Sequence, residues 1–179
     1  MHTLKIGIIT ILVALSVSTN YALVSFHNVK LMDLITFVGG FLFGPLTGIL
    51  VGVLSWSIYG VLNPYGFVPQ ILLATMFSEA IYGMAGGFLR KVHVDFKISL
   101  RHTIFMGQVG FLLTLLYDLL TNVAFAEVLG QNVLVAIAVG APFTLTHEIS
   151  NALLFGTCSI PLISALRTTG VCEIANPAK

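Results

Sequence analysis

From Val133 to Leu166 the chain carries a single charged side chain, Glu148, in a run built largely of aliphatic and small residues. A helix needs about 20 apolar residues to cross a bilayer, so this run is too long for one span. Pro142 predicts where it divides, because proline lacks an N–H and its ring clashes with the preceding turn. The expected outcome is a short segment before Pro142 and a span over Phe143–Leu166. Five further apolar segments precede it, at Ile6–Val24, Leu31–Phe43, Leu46–Leu62, Pro69–Leu89 and Ile104–Asn122. They are too long and too continuous for the alternating strands of a barrel. Because lipid offers no partners to backbone N–H and C=O groups, they predict helices. The expected fold is an all-α membrane protein, a six-transmembrane-helix bundle over about 5–167 with a short tail at 168–179.

Composition closes off the alternatives. Charged residues are 8% of the 179 and hydrophobic residues 57%, with a mean hydropathy of +1.01. Soluble domains carry about 25% charged residues, so a water-covered globule is excluded, and so is disorder. A net charge of +1 without a basic tract excludes nucleic acid as a partner. Cys158 and Cys172 form no Cys-x-x-Cys pair, which leaves zinc and redox readings without support.

Charge placement predicts orientation. With six helices, Lys5, Arg90, Lys91, Lys97, Arg101, Arg167 and Lys179 fall on one side of the bilayer, seven of the 8 basic residues, and Lys30 on the other. The positive-inside rule then makes both termini cytoplasmic and turns the loops around Asn28, Asn63 and Glu127 outward. Lys5 and the apolar run after it, with Ser16 and Ser18, also fit a secretory signal peptide, so the first segment has two readings.

Small residues mark close helix approaches. Gly40, Gly44, Gly48 and Gly52 recur every four residues, as do Gly83 and Gly87. These ridges predict internal packing. In the first segment Ala14, Ser18 and Ala22 form a similar stripe, which fits a partner-docking face as well as internal packing.

Catalytic motifs are missing. There is no phosphate-binding Gly-x-x-x-x-Gly-Lys loop and no Gly-x-Ser-x-Gly elbow. His147-Glu148 lacks the second histidine of a zinc peptidase, because position 151 is asparagine. The expectation is therefore a non-enzyme without a cofactor.

Polar side chains within the apolar segments are few and informative, since a charge at mid-span costs about 2.5–3.5 kcal/mol on the insertion scale. Asp118 and Asn122 share one helix face, and so do His147 and Asn151. On the predicted topology all four lie in the outer half, with Asn28, Lys30, Asp33, Asn63, Tyr65 and Gln70 near the same surface. Such a cluster in apolar walls fits a pocket that opens outward. Each pair equally fits interhelical hydrogen bonding that only holds the bundle together. Asn63-Pro64-Tyr65-Gly66 is first a turn signal. Tyr59, Tyr65, Phe67 and Tyr117 read as an interfacial aromatic belt more readily than as a stacking surface. For Glu79 and Glu148, a hydrogen-bonded structural carboxyl is preferred to proton coupling.

The pattern resembles the substrate-binding S component of energy-coupling factor (ECF) transporters. Four stretches carry the resemblance: Asn28 through Gly52, Asn63-Pro-Tyr-Gly with the helix after it, Tyr117-Asp-Leu-Leu-Thr-Asn, and Pro142-Phe-Thr-Leu-Thr-His-Glu-Ile-Ser-Asn. The resemblance implies a prokaryotic plasma-membrane subunit that captures a small-molecule micronutrient. Its implied partners are a transmembrane T subunit and two cytoplasmic ATPases, in keeping with the missing phosphate-binding loop. It implies that Ala14, Ser18 and Ala22 dock on the T subunit, although Ser18 departs from the family's Ala-x-x-x-Ala pattern. It places the substrate on Asn63, Tyr65, Tyr117, Asp118, Asn122, His147 and Asn151. The competing reading is a structural or morphogenetic membrane protein without transport.

Overall fold

The computed structural model describes residues 2–64, 66–92 and 98–170. These residues form six helices and no strand: α1 His2–Ala22, α2 Met32–Phe43, α3 Pro45–Val61, α4 Pro69–Lys91, α5 Leu100–Leu129 and α6 Val133–Thr168. Four of them, α1, α4, α5 and α6, are long and apolar enough to cross a membrane. The other two are short apolar helices of 12 and 17 residues. Tyr65, Lys97, Cys172 and Lys179 lie outside the described residues, and so does the predicted tail beyond Gly170.

Local chemistry sets most helix ends. Pro45 and Pro69 each occupy the first turn of their helices, where the missing N–H has no partner to lose. Gly44 between α2 and α3 has φ +101°, a conformation that penalises a Cβ. Pro45 therefore begins a helix rather than interrupting a glycine ridge, and Gly44 serves the turn. The α5–α6 connection is equally specified. Gly130 is left-handed, Gln131 N–H donates to the Ala126 carbonyl at 2.9 Å, and Asn132 Oδ1 accepts from Leu134 N–H at 2.8 Å. That is a Schellman stop followed at once by an N-cap.

The expected break at Pro142 does not occur. Val133–Thr168 is one helix with Pro142 and Pro161 inside it. Proline removes one ladder bond, but local adjustment and hydroxyl side chains make this tolerable in an apolar helix. Thr146 Oγ1 donates to the Pro142 carbonyl at 2.9 Å, one turn beyond the Ala138 carbonyl that the proline leaves without its ladder bond. At about 1.5 Å per residue, 36 residues extend about 54 Å, well beyond a bilayer's hydrocarbon core of about 30 Å. Helix α5 also outruns its expected end at Asn122 by continuing to Leu129.

Helix α5 packs along α6, α3 and α2 pack on α4, and α1 lies against α2 and α3. The glycine ridges meet where α2, α3 and α4 converge. A Cβ on Gly48 would lie 2.6 Å from the Cα atoms of both Gly40 and Gly83, and a Cβ on Gly87 would collide with Pro45. These ridges pack internally, as expected. The stripe on α1 does not: Ala14, Ser18 and Ala22 are exposed, while Val13, Ser16 and Asn20 face the bundle.

The surface is apolar, and the largely apolar interior also holds a set of polar groups. Ile11, Leu73, Phe77, Leu112 and Leu153 are exposed, whereas Asp33, Glu79, Thr114, His147 and Asn151 are buried among Phe37, Phe41 and Phe155. An apolar surface with ionisable groups turned inward suits a multi-pass membrane protein.

Candidate functional site

The connections after α1, α3 and α5 lie at one end of the bundle, termed here the upper end. Tyr21 Oη donates to the Leu62 carbonyl there at 2.9 Å, and Asn28 Nδ2 donates to the Phe143 carbonyl at 3.1 Å. Asn28 itself holds a positive φ of 57°, which asparagine tolerates better than most residues.

Beneath this end His147 bridges two carboxylates. Its Nε2 lies 2.6 Å from Asp33 Oδ2 and its Nδ1 3.0 Å from Asp118 Oδ1. Pairing both nitrogens needs two N–H hydrogens, which imidazolium supplies, unless one carboxyl carries the proton itself. Asn151, one turn along the same face of α6, donates to Asp33 Oδ2 at 2.6 Å and to Thr114 Oγ1 at 2.8 Å. Thr114 also accepts from Tyr82 Oη at 2.8 Å and donates to the Gly110 carbonyl. The array joins α2, α4, α5 and α6 through groups that are almost fully buried. Because Asp33 and Asp118 take opposite ring nitrogens, they do not converge with His147 on one point, and no metal-binding group of three is found among the described residues.

Several buried atoms around this array have no hydrogen-bond partner among the described residues. They are Asp33 Oδ1, Asp118 Oδ2, Glu79 Oε1, Asn151 Oδ1 and Tyr117 Oη. The second oxygen of Glu79 accepts from Trp56 Nε1 at 3.2 Å. Trp56, Tyr59 and Tyr117 form an aromatic wall, with Trp56 centroids 5.5 Å from Tyr59 and 6.4 Å from Tyr117. Lys30 Nζ lies 4.7 Å from the Tyr117 ring centroid and 5.3 Å from that of Trp56.

Two cavities reach this region from the upper end. One, of about 290 Å³, is lined by Asn20, Asn28, Lys30, Trp56, Tyr59 and Asn63. The other, of about 430 Å³, lies between α5 and α6 and is lined by Asn28, Asp118, Asn122, Gln131 and Thr144 among others. Asn28 borders both.

The residues expected from the sequence thus fall into groups. Asp118, His147 and Asn151 belong to the buried array, and Tyr117 packs edge-on against His147 at 5.5 Å between centroids. Asn122 lies one turn above Asp118, donates to Thr144 Oγ1 at 3.4 Å and faces the larger cavity. Asn63 lines the smaller cavity, and the Gly66 N–H donates to its carbonyl at 3.1 Å, closing the expected turn. Tyr65 lies outside the described residues. The aromatic-belt expectation is corrected: Tyr59 and Tyr117 are buried, since they pack on Trp56 and His147 rather than facing outward, while Phe67 is exposed. Trp56, Tyr82 and Thr114 were not among the expected residues; Lys30 and Asp33 were placed in the outer polar cluster but not among the residues assigned to substrate. An ionisable residue at the head of an apolar segment was the available signal for Asp33.

No family model matches this chain, and neither a curated protein nor a solved structure matches it significantly.

Proposed function

We propose that the chain is the substrate-capture subunit of an ATP-driven micronutrient transporter. In this reading it binds a small molecule at its upper end and docks on a transmembrane T subunit through α1. The observation that carries the reading is a set of unpaired, buried polar atoms near two cavities at one end of an apolar-surfaced bundle, with Asp118 lining the larger cavity. An unpaired buried polar group costs about 1–3 kcal/mol, so a site that accumulates several is best explained by a ligand that satisfies them. The excess of basic residues at the opposite end supports six spans, cytoplasmic termini and an outward-facing site.

The test is mass spectrometry of small molecules released by denaturing the detergent-purified protein. One compound should be recovered unchanged from the parent, and its yield should fall in Asn122→Ala, whose side chain faces a cavity but makes no contact with His147 or Asp33. A parent that carries no compound in repeated preparations from cells grown in rich medium removes the basis of the proposal. A morphogenetic role would then be favoured, because much of the His147 array already satisfies itself.

The exposed stripe on α1 supports the docking role. Ala14 and Ser18 border a groove of about 390 Å³ formed with Leu54 and Ile58 of α3. Small residues there let a partner helix approach closely. Ala14→Leu is expected to reduce uptake by the assembled complex about tenfold or more, with ligand affinity of the isolated subunit unchanged. Equal loss of both would place the defect inside the bundle.

A further inference from the structure

At the end opposite the two cavities, the lower end, two arginines converge on the last turn of α2. Arg90, in the last turn of α4, donates from Nη1 to the Leu42 carbonyl at 2.5 Å. Arg167, in the last turn of α6, holds its guanidinium carbon 5.2 Å from the ring centroid of Phe41, the residue before Leu42. The final carbonyls of a helix carry about half a negative charge, so capping α2 offsets less than one of these two cations. Both stay charged at any working pH, because arginine is not deprotonated in proteins. Arg90 commits one of its five N–H groups to Leu42, and those of Arg167 meet no acceptor among the described residues. Neither arginine has a carboxylate partner among the described residues. Asp33 and Asp118 pair with His147, Glu79 meets Trp56, Glu148 follows His147 in sequence, and Glu127 lies near the upper end of α5. The lower end of α2 thus carries surplus positive charge and unspent, fork-shaped donors.

The position of this charge along the helices points to its partner. Each arginine follows the last apolar residues of its helix, Phe88-Leu89 in α4 and Leu166 in α6. Phe88, Leu162 and Leu166 are exposed on the apolar surface of the bundle. A cation at the edge of an apolar belt sits at the depth of phospholipid headgroups, with hydrocarbon chains alongside the belt. We propose that Arg90 and Arg167 bind the phosphate of an anionic phospholipid whose chains lie along these exposed apolar side chains. The planar guanidinium fork pairs two phosphate oxygens at once, which suits arginine to the task. A zwitterionic lipid fits less well, because its own ammonium group meets the surplus of positive charge. The proposal stands apart from small-molecule capture at the upper end and does not depend on it.

The test is native mass spectrometry of the full chain in detergent, titrated with phosphatidylglycerol or phosphatidylcholine carrying identical chains. An arginine beside an anionic headgroup is worth about fivefold in affinity, so the parent should hold phosphatidylglycerol about 25-fold more tightly than phosphatidylcholine. Arg167→Gln should cut that preference about fivefold. Arg167→Lys keeps the charge without the fork and should retain most of it. Lys5→Gln removes a charge from the same end, on α1, and should change the preference by about twofold or less. Added salt should weaken the preference, and inorganic phosphate at the lipid's concentration should not displace phosphatidylglycerol, having no chains to bury. Equal affinity for the two lipids overturns the proposal and leaves the arginines to an acidic protein partner. Equal losses in Arg167→Gln and Lys5→Gln overturn it too, because they describe a diffuse field rather than a site. Displacement by phosphate would make the site one for a soluble anion. Arg167 is exposed and makes no side-chain hydrogen bond, so its replacement leaves the core untouched. Should Arg167→Gln still fail to fold, the comparison of the two lipids on the parent decides alone.

Discussion

Replacing Asp33 with alanine is expected to destabilise the bundle by about 3–5 kcal/mol, the scale for removing one partner of a buried ion pair. The carboxylate accepts from His147 Nε2 and Asn151 Nδ2 through the same oxygen, at 2.6 Å each. Alanine leaves the imidazole paired only to Asp118, while Asn151 retains Thr114. His147 Nε2 is therefore the buried group left without a partner. Asp33→Asn should recover part of the loss, since its amide oxygen still accepts. Equilibrium unfolding of the parent, Asp33→Ala, His147→Ala and the double variant gives the coupling between the two side chains. A coupling energy near zero would mean that the short contact stabilises nothing. Ligand affinity measured on the same proteins separates the roles. If the array only holds helices together, stability falls and affinity in the folded fraction stays at the parental value.

The sequence made half of this array legible. The four-residue spacings of Asp118 with Asn122 and of His147 with Asn151 fix shared helix faces, and α5 and α6 do turn those faces together. Helix geometry cannot reveal Asp33 as the third member, because its bond to His147 joins positions 114 apart in the chain. Nor does periodicity orient a helix whose outside meets lipid and whose inside is largely apolar. Tyr59 and Tyr117 were read as an interfacial belt from their depth near the outer surface, which says nothing of the face they occupy, and both are buried. The same lack of an amphipathic stripe left the α1 stripe ambiguous until Ala14 and Ser18 were seen to be exposed. Pro142 misled for a different reason. The rule that proline ends helices is calibrated on segments whose freed carbonyl can turn to water, an option an apolar surround removes.

Gly83→Ala tests the part of the fold that brings the site's helices together. A Cβ at Gly83 would lie 2.5 Å from the Gly48 carbonyl oxygen and 2.6 Å from the Ile49 nitrogen, both main-chain atoms. Gly40 closes on the Gly83 backbone from α2, so α4 has little room to retreat from either neighbour. Overpacking a tight interior typically costs about 1–3 kcal/mol, and a clash against backbone on two sides belongs at or above the upper end. Gly7→Ala provides the control, because nothing lies within 4 Å of a Cβ there. Its effect should stay within about 0.5 kcal/mol, tilted toward stabilisation by alanine's higher helix propensity. Thermal unfolding in a single detergent compares the two substitutions. Equal melting temperatures would show that α3 and α4 are not held at the separation the glycines permit. The consequence reaches the site through α4, which carries Glu79 and Tyr82 one turn and one residue before Gly83. Pushing α4 away from α3 would lengthen the 3.2 Å bond from Trp56 Nε1 to Glu79 Oε2. Gly83→Ala should therefore blue- or red-shift the emission of Trp56, whereas Gly7→Ala should leave that spectrum unchanged.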